Sequence, residues 1–216
     1  APRSVARQLA FSAVQLVSLL AVLALGPAVL RVLYIEFPIL AQLLDSGTAS
    51  LQSGNFYLEV LIVATVLFFG AILIGFVVVV TVPRLLNLFI TPDRVYRLYG
   101  LHYLVHRLIA ALSNQKFFTE LFGDSSYIVG YLRSIGYKLT PVTQTGSNFG
   151  MSVQHENPFL SAVGGGTVVA DGLSFLNADY SSTSFRVSRV SIGGDNFLGN
   201  HIAYPPQGRT GDNCLL

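Results

Sequence analysis

The stretch "SIGGDNFLGNHIAYPPQGRTGDNCLL", Ser191 to Leu216, reads in sixes. From Ile192 the lead positions are Ile192, Leu198, Tyr204, Thr210 and Leu216, and a glycine follows three of them, at Gly193, Gly199 and Gly211. An earlier stretch keeps the same step at Val163, Val169 and Phe175, with Gly164 after the first and Asp171-Gly172 marking a turn. Short strands that each turn one apolar side chain inward, separated by tight corners, are the signature of a parallel β-helix. Stacked passes bury a core that no single pass could bury alone. The two registers are offset by 29 residues, which is no multiple of six. Something must bulge between them, and "NADYSSTSFRVSR", Asn177 to Arg189, is the candidate loop. A β-sandwich with a chance period of six is the competing reading.

Upstream, the composition points to a membrane. Hydrophobic residues make up 52% of the 216-residue chain and charged residues only 11%, against about a quarter charged in ordinary soluble domains. Residues 9–30 and 60–83 carry no charge at all. A bilayer crossing needs roughly 20 apolar residues, so both runs are long enough. Arg3 and Arg7 precede the first run, and Arg84, Arg94, Arg97 and Arg107 follow the second, while only Arg31 among basic residues lies between them. The positive-inside rule then places both termini and the soluble part in the cytoplasm, with a short external loop. The layout predicts a two-helix transmembrane hairpin over residues 1–90, amphipathic or interfacial helices over 91–140, and hexad strands over 141–216. The fold class is α+β. The chain opens on Ala1 and stops in mid-repeat at Leu216, so a fragment of a larger multi-pass protein is expected.

In the middle part, Thr91, Pro92 and Asp93 make a helix-start signal. Leu98, Leu101, Val105, Leu108 and Leu112 then recur at helical spacing, with Tyr96, Tyr99, Tyr103, His106 and Arg107 on the other side. That face suits either packing on its own domain or a helix lying at the membrane surface. A second helix is predicted from about Ser125 to Ile135, stopped by Gly136, with a strand starting near Tyr137-Lys138-Leu139. Cys214 is the only cysteine, which excludes an internal disulfide framework or a zinc site built on paired cysteines.

The segment from Phe149 to Leu216, through "NADYSSTSF", "NFLGN" and "RTGDNCLL", resembles the membrane-embedded C-terminal region of Pls-type (ε-poly-lysine synthetase-like) nonribosomal peptide synthetases. The resemblance implies tandem soluble domains, similar to hexapeptide acyltransferases with their left-handed parallel β-helix, alternating with membrane spans. It implies an acyl- or aminoacyl-transferase-like module that helps join carrier-bound amino acids through amide bonds. It also implies as partners the lipid bilayer, the carrier and adenylation domains of the same polypeptide, sibling tandem domains and a homodimer, and as location the cytoplasmic (inner) membrane of a bacterium. No nucleic-acid partner is expected. The chain binds no cofactor directly; its substrate arrives linked to phosphopantetheine. A non-catalytic scaffold or oligomerisation module, or part of a product-export path, are the alternatives.

Amide formation needs a base to deprotonate the amine and a donor for the developing oxyanion. Histidine is the natural base near neutral pH. His155 in "VQHENP" is the first candidate, with Asn157 beside it as a hydrogen-bond donor to substrate. Asp179 in the polar loop could orient the base, and Arg186 could meet the phosphate of a carrier arm. His201 is a weaker candidate. His102 and His106 are four residues apart and neighbours on one helix, but no third ligand is evident, so no metal is expected.

Overall fold

The computed structural model describes residues 5–45, 53–123, 125–140, 144–145 and 152–216. The chain divides into two units, one ending at Gly75 and the other beginning at Phe76.

The first unit holds α1 (Val5–Glu36), α2 (Pro38–Asp45) and α3 (Gly54–Asn87) as far as Gly75. With 32 and 34 residues, α1 and α3 are long and apolar enough to cross a membrane. They are apolar on every side, as a lipid-facing helix must be. Three of their hydroxyls are satisfied within the helix: Ser18 donates to Val14 O at 2.8 Å, and Thr65 and Thr81 donate to Leu61 O and Val77 O at 2.7 Å; Tyr34 donates instead to Asp45 Oδ2 at 2.8 Å. A hydroxyl bonded to its own preceding turn can be carried into hydrocarbon without an unpaired polar group.

The second unit follows from Phe76. It comprises the last turns of α3, then β1 (Val95–Arg97), α4 (Leu101–Ser113), α5 (Lys116–Phe122), α6 (Tyr127–Ile135), β2 (Lys138–Leu139), β3 (Gln144–Thr145) and β4 (Gln154–His155). A 3₁₀ turn, Pro158–Leu160, leads to β5 (Ser161–Val163), β6 (Val168–Val169), β7 (Leu173–Phe175), β8 (Ala178–Tyr180), β9 (Ser184–Val187), β10 (Val190–Ile192), β11 (Phe197–Leu198), β12 (Ile202–Tyr204) and β13 (Arg209–Thr210). Phe76 on α3 meets Phe118, Phe122 and Tyr131 edge-on or tilted, and Arg84 donates to Ser134 O at 2.8 Å. The end of α3 is thereby fastened to α5 and α6.

Successive passes of the chain lay one strand into each of three parallel sheets, ordered β13-β10-β5-β2, β11-β6-β3 and β12-β7-β4. The hexad positions stack on one another: Leu139 on Val163 on Ile192 on Thr210, Val169 on Leu198, and His155 on Phe175 on Tyr204. Val163, Val169, Phe175, Ile192, Leu198 and Tyr204 are all buried, so the sixes mark the inward side chains.

The irregular offset has a local cause. Between the Ile192 and Thr210 passes the spacing is 18 residues, as in the bonds Gly194 N to Asp212 Oδ1 and Cys214 N to Asn196 Oδ1. Between the Val163 and Ile192 passes the spacing is 29 residues, as in the bond Asp171 N to Asn200 Oδ1. The excess is the β8–β9 hairpin, closed at its base where Ser188 N donates to Asn177 O and Asn177 Nδ2 to Ser188 O, 11 residues apart. The expected bulge is therefore an antiparallel hairpin, and β1 pairs along its β9 edge.

Two expectations for the middle part change. Residues 91–94 do not start a helix. Asp93 has a positive φ of 64°, and β1 follows because Tyr96 turns inward to accept Thr91 N at 2.8 Å through its hydroxyl. The helix begins only at Leu101 and presents a face rotated from the expected one. Val105, His106, Ile109 and Ser113 are buried, while Leu101 is 65% exposed. The hairpin dictates this rotation. Its inner row, Tyr96–Phe185–Tyr180, offers an aromatic surface on which His106 stacks at 5.4 Å from Phe185 and His102 at 4.4 Å from Tyr96. The second expected helix is present as α6, and Gly136, at φ 124°, ends it by donating to Arg133 O before β2.

Candidate functional site

The hairpin row, α4 and the residue after β4 bring three ionisable side chains together. His106 Nε2 lies 3.0 Å from Tyr180 Oη, and Tyr180 Oη donates to Glu156 Oε1 over a long 3.5 Å. With the phenol proton directed to the carboxylate, His106 must donate from Nε2, so the hydrogen bonds run one way from histidine through tyrosine to glutamate. The other carboxylate oxygen, Oε2, accepts Ala178 N at 2.7 Å, which locks the glutamate against the hairpin base. Burial raises the Glu156 pKa, against the opposing pull of the Ala178 and Asn177 backbone, Tyr180 and Arg107. Burial also raises the Tyr180 pKa, and it lowers that of His106 to about 4, helped by Arg107. Desolvated groups of opposite tendency, set side by side, are a common arrangement in acid–base sites.

Beside Glu156 opens a cleft of about 470 Å³, walled by Asn114, Lys116, Gln154, Glu156 and Leu176 among others. Asn114, at the end of α4, holds the edge of β4 like a neighbouring strand. Its amide donates to His155 O at 2.6 Å and accepts His155 N at 3.2 Å. Lys116 stands at the cleft in an exposed i,i+4 pair with Glu120 at 3.2 Å.

His155 lies at this cleft through its backbone, but its ring points into the stack. It is 5% exposed, edge-on to Tyr137 at 5.0 Å, and Nε2 lies 2.8 Å from Ser113 Oγ. Ser113 already donates its proton to Ile109 O at 2.6 Å, so it accepts from His155, which assigns the Nε2–H tautomer. The basic lone pair on Nδ1 is then buried and has no partner. Burial lowers this pKa to about 3.

The other sequence candidates separate. Asn157 is 0% exposed, and its side chain is consumed inside the fold: Nδ2 donates to Asn87 Oδ1 at 2.9 Å and Oδ1 accepts Phe159 N at 3.0 Å. Asp179 and Arg186 face each other across the hairpin and form an ion pair at 3.0 Å on its outer face, opposite the Tyr180 row. His201 sits at an exposed corner with φ 54°. Sequence reasoning passed over Glu156, Tyr180 and His106 as a group. The only signal was the alternation along "ADY", which puts Asp179 and Tyr180 on opposite faces of one strand.

The buried histidines make stability depend on pH. Unfolded, both titrate near about 6.5; folded, they titrate at about 4 and about 3. The folded values lie below the unfolded ones, so the unfolded chain binds the extra protons as pH falls below about 6.5. Stability is complete above that pH and drops below it, by up to about 1.4 kcal/mol per pH unit for each histidine. Glu156, with its raised pKa, acts in the opposite sense as acid neutralises it. The melting temperature is therefore expected to fall between pH 6.5 and 5, and His155→Gln to flatten the slope by about one proton. An unchanged slope in that variant would contradict the buried neutral ring.

Among the described residues, no cluster of His, Cys, Asp and Glu could hold a metal ion. Comparison with protein-family models, with curated proteins and with solved structures finds no match to the chain.

Proposed function

We propose that the chain is a membrane-anchored acyl- or aminoacyl-transferase-like module of a Pls-type nonribosomal peptide synthetase, with its three parallel sheets as the faces of a left-handed parallel β-helix. Hexad positions stacked strand on strand in three parallel sheets support the β-helix, and two apolar helices support the anchor. The arginine asymmetry around them supports a cytoplasmic face for both ends and for the sheets. Carrier and adenylation domains of the same polypeptide, sibling domains and a second copy are the partners this reading requires.

The carrying observation is Glu156, a desolvated carboxylate on the wall of a 470 Å³ cleft, fixed by the Ala178 amide. In the proposed step the amine of one amino acid loses a proton to Glu156 and attacks the thioester carbonyl of another. The C–N bond forms, the C–S bond breaks, and the arm leaves as a thiolate that takes up a proton. A carboxylate with a raised pKa is a stronger base than one in water. The Tyr180 hydroxyl, backed by His106, would restrain Glu156 between cycles. His155 serves as a packed member of the stack rather than as the base, because its free lone pair is enclosed.

Glu156→Gln keeps the shape and removes the base. In nanodiscs, with an aminoacyl-pantetheine thioester and a free amino acid, amide formation is expected to fall about 100-fold with the melting temperature held. An unchanged rate would remove Glu156 from the mechanism.

A further inference from the structure

The outer face of the sheet β13-β10-β5-β2 carries a second feature, away from the Glu156 cleft. Register sets Lys138, Ala162, Ser191 and Arg209 in one row across four strands, on the face opposite Leu139, Val163, Ile192 and Thr210. Neighbouring strands are about 4.8 Å apart, so the small residues Ala162 and Ser191 make a low floor between two cations. Arg189, exposed just before β10, lies two residues before Ser191. Two adjoining clefts, of about 410 Å³ and about 180 Å³, share Arg189 and Arg209. Arg186, Gln207 and Asp93 complete the larger, and Lys138 with Phe159 the smaller.

This is a concentration of positive charge in excess of the acids beside it. Arg186 is paired with Asp179 at 3.0 Å, and the Gln207 amide oxygen, in the orientation that satisfies both groups, accepts from Arg186 Nε and Nη1 at 3.3 Å. Among the described residues, Lys138, Arg189 and Arg209 have no ion pair, and Asp93 is the only acid on the cleft walls. Like charges held together repel unless an anion joins them. Guanidinium groups bind tetrahedral oxyanions through paired N–H donors, and Arg186 is already held in place from two sides.

We propose that this double cleft is a binding site for the phosphate group of a phosphate ester, with Arg189 and Arg209 as its principal donors and Arg186 and Lys138 at its two ends. Such a group has two sources near a membrane-bound synthetase: the phosphodiester of a pantetheine arm and the headgroup of an anionic lipid. The site extends the reading of Arg186 as a contact to a carrier arm, but it does not depend on Glu156 as base.

The test uses the whole chain in phosphatidylcholine nanodiscs, titrated with pantetheine 4′-phosphate and with uncharged pantetheine by calorimetry. Saturable binding of the phosphate ester alone is expected, weakened at least about tenfold by Arg189→Ala with Arg209→Ala and reduced by added salt. Glu156→Gln is expected to leave it intact, which separates this site from the transfer reading. Repeating the titration with phosphatidylglycerol in the disc assigns the source: competition identifies the lipid headgroup, and unchanged affinity identifies the arm. Absence of saturable phosphate binding in neutral discs, or binding indifferent to the double substitution, would overturn the site.

Discussion

Gly164→Ala is expected to destabilise the second unit by about 3 kcal/mol or more, while Gly211→Ala changes stability by less than about 0.5 kcal/mol. Both glycines follow a hexad position at the same corner, two passes apart, with Gly193 at that corner of the pass between them. A Cβ on Gly164 would enter the backbone of the next pass, 2.5 Å from Gly194 N and 2.6 Å from Gly193 O. Gly193 meets the following pass in the same way, with Gly211 O at 2.6 Å. The obstruction is main chain rather than the end of a flexible side chain, so it can be relieved only by parting the ladder. That ladder includes Gly164 N to Ile192 O at 2.9 Å and Gly193 N to Thr210 O at 3.0 Å. At Gly211 a Cβ meets nothing within 4 Å. Thermal unfolding in nanodiscs, read by tyrosine fluorescence, separates the two variants. Equal melting temperatures would mean the corners do not stack.

Asn177→Leu is expected to cost about 4 kcal/mol, as several buried polar groups lose their partners at about 1–3 kcal/mol each. Asn177 is fully buried where the hairpin leaves the stack. Its Oδ1 accepts Asn157 N at 3.0 Å, and its Nδ2 donates to Ser161 Oγ at 3.2 Å and Ser188 O at 3.4 Å. Asn157 carries the network on to Asn87 at the end of α3. The leucine matches the volume and removes every side-chain bond of Asn177, leaving only the backbone bond from Ser188 N to Asn177 O to close the hairpin base. Asn200→Ala is the control. Asn200 accepts Asp171 N at 3.1 Å in an exposed setting, where water replaces it and the loss stays below about 1 kcal/mol. Similar losses at the two sites, measured by denaturant unfolding, would show that the buried network contributes nothing special.

Long-range stacking was legible because it is written as a period. Glycines after Val163, Ile192 and Thr210 mark corners where backbone meets backbone, and the 29-residue offset announces an insertion. The apolar helices were equally plain, since two charge-free runs of that length meet the length and composition of a membrane span. The face of α4 was not legible. Leu101 and Leu108 outrank His106 on any hydrophobicity scale, yet His106 is buried because Phe185, more than seventy positions away, stacks on its ring and Tyr180 pairs with its Nε2. The same non-local contact made a strand of Val95–Arg97, where Thr91, Pro92 and Asp93 favoured a helix. At the site, His155 drew notice for its chemistry while occupying an inward hexad position. The step of six passes from Val169 to Phe175 but not from Thr145 to His155, so nothing local announced that His155 would stack on Phe175. Its neighbour Glu156 then faces the cleft.

The most direct measurement is turnover by the chain itself: nanodisc-embedded protein, an aminoacyl-pantetheine thioester and a free amino acid, with products followed by mass spectrometry. An aminoacyl-transfer module is expected to consume the thioester and accumulate the amide well above the protein-free rate, saturably in both substrates. Thioester loss at the protein-free rate, with no amide formed, would contradict it.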